Sequence, residues 1–153
     1  MPGLSMEAPL VRRGGCGKLR DRFYSPMASI PPENRNVAVL GASRKPERYA
    51  NMAQRQLAQA RYRPIPVNPA FEEVEGVPCF PNLAAIGEPV HTVTLYLGEA
   101  RSTPLIDEIV GASPQRIIMN PGAENEVLAA AASSAGIEVV EGCTLVMLRS
   151  GLF

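Results

Sequence analysis

From Asn36 onward, apolar runs, polar loops and helical patterns alternate along the chain. Val37, Ala38, Val39 and Leu40 form an unbroken apolar run with β-branched members, the pattern of a strand buried on both faces of a parallel sheet. Gly41 permits a sharp exit. Pro46 then supplies a helix-opening proline, and Glu47 to Arg61 carries Met52, Leu57 and Ala60 among polar residues, which predicts a helix. A second strand is expected over Arg63 to Val67, although Pro64 and Pro66 remove donors, so that pairing there is incomplete or the proline nitrogens face away. Asn68-Pro69 turns the chain out at its end. Phe71 to Pro81 reads as a loop, and Asn82 as the cap of a short helix over Leu83 to Ile86. His91 to Leu97 alternates as a third strand, followed by a helix from about Thr103 to Val110 with Pro104 in its first turn. Arg116 to Met119 is the fourth strand. Glu124 to Ala135 is the clearest helix, closed by Gly136, and Ile137 to Val140 is the fifth strand. Cys143 to Leu148 is apolar enough to pack back on the sheet or to form an edge.

This alternation predicts an α/β domain over residues 35–153: a Rossmann-like three-layer α/β/α sandwich with a five-stranded, mostly parallel sheet in the common order 3-2-1-4-5. That order sets the first strand beside the fourth. The turns Gly41-Ala42-Ser43 and Gly122-Ala123-Glu124-Asn125 then face one crevice beyond the strand C-termini, where open α/β sheets bind ligands. The first turn suits an anion. Ser43 offers a hydroxyl, and Arg44, Lys45 and Arg48 add charge beside a helix N-terminus; solvated loop charges are the plainer reading of the same residues. Glu124 suits phosphate less, and is expected to complement its own helix dipole or to accept from a ligand hydroxyl or amide. A hydride cofactor is disfavoured. Gly41, Ser43 and Pro46 stand where G-x-G-x-x-G would, the second strand ends in Asn68 rather than an acid, and no G-K-[ST] occurs.

Composition narrows the classes. The 153 residues suffice for one domain with a real core, and the formal net charge of zero points to neither nucleic acid nor an acidic partner. No apolar run approaches the roughly 20 residues of a membrane helix, so a soluble protein is expected. Cys16, Cys79 and Cys143 are far apart and lack C-x-x-C spacing, which argues against a structural zinc site or a disulfide framework and for reduced thiols in the cytoplasm. Residues 1–34 carry scattered glycines, prolines and arginines without periodicity. They read as an unstructured leader, a mitochondrial transit peptide, or sequence upstream of a true start at Met27.

The motifs GAS-x-KPERYA, P-V-N-P, T-x-Y-L and NPGAEN, in that order and followed by a late Cys143, resemble the CoA-binding protein family. These are single-domain relatives of the nucleotide-binding half of the succinyl-CoA synthetase α subunit, and the resemblance covers about Asn36 to the C-terminus. It implies a Rossmann-like domain that binds coenzyme A or an acyl-CoA. Gly41, Ala42, Ser43, Lys45 and Arg48 would lie near the phosphates, and Val67, Asn68 and Pro69 beside the adenosine. Tyr96 and Leu97 would form the crevice wall, and Asn120, Pro121, Gly122, Ala123, Glu124 and Asn125 would close the other side. The resemblance also implies that ligase chemistry needs a further domain with a phosphorylated histidine. The chain's only histidine, His91, begins a strand at the end opposite the crevice and is expected to be structural or solvent-facing.

No catalytic constellation stands out. Cys143 could reach the crevice and form a mixed disulfide with coenzyme A or sense redox state, against the commoner reading of a buried inert thiol. Cys79 is expected to be more exposed, with no base near it in sequence. Tyr49 and Tyr62 read as core or rim packing, with stacking on adenine the lesser alternative, and Asp107 and Glu108 as a solvated helix face. The preferred expectation is a non-catalytic carrier, sensor or regulatory module for CoA or acyl-CoA. The alternatives are an enzyme subunit that needs a partner chain and an interaction protein with a vestigial crevice. Homodimerisation is compatible with a small α/β domain, but no interface stripe stands out.

Overall fold

A computed structural model describes Pro31 and residues 34–153. Apart from Pro31 and Asn34, the N-terminal segment lies outside the described residues, together with Cys16, Met27 and the leader, transit-peptide and late-start readings. The elements are β1 (Asn36–Leu40), α1 (Tyr49–Gln59), β2 (Arg63–Val67), a hairpin of β3 (Glu73–Val74) and β4 (Val77–Pro78), a 3-10 turn (Leu83–Ile86) and β5 (Thr92–Leu95). There follow α2 (Glu99–Ser102), a 3-10 turn (Thr103–Leu105), α3 (Ile106–Gly111), β6 (Arg116–Met119), α4 (Glu126–Ser134), β7 (Glu138–Glu141) and α5 (Thr144–Ser150).

The sheet is five-stranded and wholly parallel, as expected of a Rossmann-like α/β domain, in the order β2-β1-β5-β6-β7. Counted along the main strands this is 2-1-3-4-5, which corrects the expected 3-2-1-4-5. The first strand lies between the second and third, not beside the fourth. The reason is in β2. Arg63 N–H donates to Arg35 O at 2.8 Å on the β1 side, and because alternate residues point to opposite sides of a strand, Pro64 and Pro66 turn their nitrogens outward. A third strand laid outside β2 would meet two positions without donors, so β5 pairs on the free side of β1. The outward carbonyl of Pro66 accepts instead from Phe80 N–H at 3.0 Å, and Asn68 N–H donates to Phe80 O at 2.9 Å.

Both faces of the sheet are covered, which explains the unbroken apolar run of β1. Ala38 and Leu40 join a core with Ile65, Val67, Val93, Leu95, Ile117 and Met119 under Ile109 of α3 and Leu128 of α4. Val37 and Val39 face the other way, toward Ala50 and Leu57 of α1, with Leu148 of α5 and Phe153 packed against them. β5 alternates differently. Val93 and Leu95 enter the first core, while the buried Thr94 bonds across the other face to Thr144 of α5, the hydroxyl oxygens 2.7 Å apart.

Several boundaries differ from expectation for local reasons. α1 begins at Tyr49 with Arg48 as its N-cap, two residues later than the expected start at Glu47, so that Pro46 lies in the turn before the helix. Pro104 sits in a 3-10 segment that divides the expected 103–110 helix, and helical structure already begins at Glu99. The loop 71–81 contains the β3–β4 hairpin, whose turn residues Glu75 and Gly76 both have positive φ, 53° and 75°, as a two-residue hairpin turn requires. Residues 144–150 form a helix rather than an edge strand. No helix among the described residues is long and apolar enough to cross a membrane.

Candidate functional site

Gly41 ends β1 with φ 96°, and a Cβ there would stand 3.0 Å from Leu97 Cδ2 and 3.2 Å from the Tyr96 carbonyl carbon. Only glycine lets β1 exit this close to the end of β5. Gly41 and Ala42 donate both their backbone N–H groups to Val67 O, at 3.1 and 3.3 Å, so these amides hold the turn together. The groups open to an anion come later. No side chain caps α1 at Arg48, which leaves first-turn N–H groups and the positive end of an 11-residue helix at the crevice. The α4 terminus is closed by contrast. Asn125 Oδ1 accepts from Leu128 N–H at 3.1 Å, and its Nδ2 donates to Ser102 Oγ at 2.8 Å.

Three adjoining cavities follow the C-terminal edge of the sheet. The first, about 150 Å³, lies beside Gly41, Val67, Asn68, Pro69, Leu97 and Leu105. The second, about 200 Å³, is bounded by Gly41, Ser43, Arg48, Tyr49, Tyr96 and the segment Pro121-Gly122-Ala123. The third, about 330 Å³, shares Tyr49, Tyr96 and Pro121 with the second and continues to Cys143, Val146 and Arg149. The two turns therefore do converge on one crevice, with the end of β5 between them.

The residues singled out from sequence divide by what their side chains touch. Arg48 lines the second cavity. Arg44 lies over the Phe71 ring, 5.6 Å from its centroid, and the exposed Lys45 lines none of the three cavities. Ser43 Oγ accepts from Lys45 N–H at 3.1 Å. Asn68 borders the first cavity, but its amide is engaged: Nδ2 donates to Ala42 O and Oδ1 accepts from Ala70 N–H, both at 2.8 Å. Asn120 is buried and satisfied, with Nδ2 donating to Thr94 Oγ1 and Leu95 O and Oδ1 accepting from Thr144 N–H. Glu124 accepts from Gly122 N–H at 3.0 Å, and Asn125 is the helix cap. Ala42 and Asn125 are buried, and neither lines the three cavities.

Burial pushes the Tyr96 phenol up to about 12, partly offset by the neighbouring Thr144 and Thr94 hydroxyls. Its hydroxyl lies beside those groups without reaching hydrogen-bond geometry. The phenol is therefore neutral at physiological pH and forms the partition between the second and third cavities. Cys143 is half-buried at the third cavity. Cys79 is half-buried rather than exposed, its thiol 3.5 Å from Asn68 O and pushed up by burial. His91 lies before β5, its Nδ1 2.8 Å from Thr92 Oγ1, and burial followed by the Arg116 charge lowers its pKa. Among the described residues no group of three His, Cys, Asp or Glu side chains is placed to hold a metal ion.

Arg101 and Leu105 at the first cavity and Val146 and Arg149 at the third were not assigned to the crevice from sequence, and Tyr49 only as the lesser alternative to packing. Tyr49 directly follows Arg48 in the first turn of α1, so its position was a usable signal. Arg149 and Val146 were hidden by reading α5 as an edge or an unspecified packing segment.

The model of the CoA binding domain matches residues 35–149. The uncharacterised protein YneT of Bacillus subtilis (strain 168) is 33% identical over 67 residues, which cover 44% of this chain and 50% of that protein. The chain thus matches half the length of this curated relative. Among solved structures, an uncharacterised protein is 37% identical with a TM-score of 0.70, covering 78% of this chain and 98% of that one. A dinucleotide-forming acetyl-coenzyme A synthetase 1 of Ca. Korarchaeum cryptofilum superposes with a TM-score of 0.61 at 22% identity, over 80% of this chain and 27% of that one, a likeness of fold.

Proposed function

Because the chain belongs to the CoA binding domain family, we propose that its crevice holds coenzyme A or an acyl-CoA and that the protein serves as a non-catalytic carrier, sensor or regulatory module. The observation that carries this reading is the uncapped N-terminus of α1 with Arg48 beside it, set against the capped α4. An anion gains the helix dipole, open backbone donors and a guanidinium at one place. The pyrophosphate lies in the second cavity, the adenosine runs toward Val67, Asn68 and Pro69, and the pantetheine arm passes Tyr96 toward Pro121, Gly122 and Ala123. Lys45 adds charge from the lip. Asn68 offers no carboxylate to ribose hydroxyls and its amide is already engaged, which supports coenzyme A over NAD. The free thiols Cys79 and Cys143 support a reducing compartment, the cytoplasm.

Calorimetry with coenzyme A, acetyl-CoA, NAD and ATP tests the reading. Coenzyme A and acetyl-CoA are expected to bind, NAD is not, and thiol release from acetyl-CoA is expected to stay at the uncatalysed rate. Binding of NAD in place of coenzyme A would overturn it. Arg48→Ala should weaken coenzyme A binding by about 1–3 kcal/mol, the range for one charge-assisted contact; an unchanged Kd would remove Arg48 from the site.

A further inference from the structure

The third cavity lies beyond the part of the crevice that holds phosphates, and its walls have a chemistry of their own. Building on the coenzyme A reading above, we propose that it is the acyl chamber and that the acyl group it takes is a chain ending in a carboxylate.

The direction follows from shared walls. Gly41 borders the first and second cavities, while Tyr49, Tyr96 and Pro121 border the second and third. With the nucleoside in the first cavity and the phosphates at the α1 terminus, the remaining arm of the molecule leads into the third.

The walls suit methylenes. Tyr49 is 69% exposed and Val146 57% exposed, two of the few large apolar side chains left open to water among the described residues, and both border this cavity. Leu145 and Pro121 extend the apolar lining. A thioester chain laid there would cover surface that the fold leaves uncovered.

The lining also carries a cation. Arg149 stands three and four residues after Val146 and Leu145 on α5, the spacing that puts side chains on one helix face. No acidic residue lines this cavity, and the Arg63–Glu88 ion pair lies elsewhere. An exposed planar guanidinium beside the apolar side chains of this cavity matches a terminal carboxylate, which it can hold through two parallel hydrogen bonds. A neutral chain would use the walls and leave this group unused.

The test is calorimetry of the full chain with free coenzyme A, pentanoyl-CoA and glutaryl-CoA, the last two differing in a terminal methyl against a carboxylate. Glutaryl-CoA is expected to bind roughly 5- to 20-fold more tightly than pentanoyl-CoA, as one charge-assisted contact allows. Arg149→Gln should bring that ratio to about one, and Arg149→Lys should restore part of it. Equal affinities in the unaltered protein, or a preference that persists in Arg149→Gln, would overturn the proposal while coenzyme A binding still stands. Failure of all three compounds to bind would instead overturn the coenzyme A reading, and this proposal with it.

Discussion

Replacing Asn68 by aspartate exchanges a donor for an acceptor where the amide nitrogen holds Ala42 O at 2.8 Å. The carboxylate oxygen would face that carbonyl, so Asn68→Asp is expected to destabilise the fold by about 1–3 kcal/mol, read as a lower urea midpoint. Tyr96 makes a pH-dependent prediction. Its folded pKa of about 12 lies above the ordinary 10. Below pH ~10 both folded and unfolded states keep the phenol proton and the full stability is present; between about pH 10 and 12 the unfolded state ionises while the folded state does not. Stability should therefore fall across that window by an amount on the order of 2 kcal/mol. Urea unfolding of Tyr96→Phe at pH 9 and pH 11.5 should show a smaller loss. At this scale the sequence was informative about which residues gather at the crevice and less so about their work. Asn68 and Asn120 stand at strand ends, where ligands bind, yet the Asn68 amide nitrogen serves a partner 26 residues away and the Asn120 amide partners 24–26 residues away. Nothing in the local pattern announces such partners.

At the scale of elements, Asn120 joins three of them. One side chain bonds the ends of β5 and β6 to the first residue of α5, through Thr94, Leu95 and Thr144. Asn120→Ala would strand these buried groups, and a loss of about 2–4 kcal/mol is expected by chemical denaturation. Existence and type of the main strands were legible because apolar runs and turn residues punctuate the chain at each one. The strand order was not, although its cause stood in plain view. Pro64 and Pro66 were recognised as awkward for a paired strand, but the step from awkward to edge requires knowing which side of β2 the nitrogens face. Only Arg63 bonding to Arg35 supplies that. The hairpin at Glu75-Gly76 was missed for a related reason, since two-residue strands carry too little pattern to register.

Across the whole molecule, the two cores lie on opposite faces of one sheet, and the crevice runs along the edge where their helices part. A ligand there touches β1, α1, β5 and the turn after β6 together, so its binding should couple to global unfolding. At a hundredfold excess over Kd, coenzyme A should add about 2.7 kcal/mol and raise Tm by roughly 5–15 °C, while NAD at the same concentration should leave Tm unmoved. A thermal scan decides between them. The crevice itself was legible before the strand order was, because in a parallel sheet both turns lie at the C-terminal edge whether their strands adjoin, as expected, or stand one strand apart across β5, as found. Its third chamber was not, because α5 had no helical signature strong enough to place Val146 and Arg149 on one face.

The outward-facing prolines of β2 bear on more than strand order. A sheet edge that presents alternating donors and acceptors invites a strand from another molecule, the first step of fibril growth. Here that row is broken at Pro64 and Pro66, and the outward carbonyl of Pro66 is taken by Phe80 N–H. The opposite edge strand begins and ends with glutamates, Glu138 and Glu141, which resist a like-charged copy of themselves. Both margins of the sheet thus carry features that disfavour addition of a further strand, and the prolines bear on both the order of the strands and the reactivity of the edge.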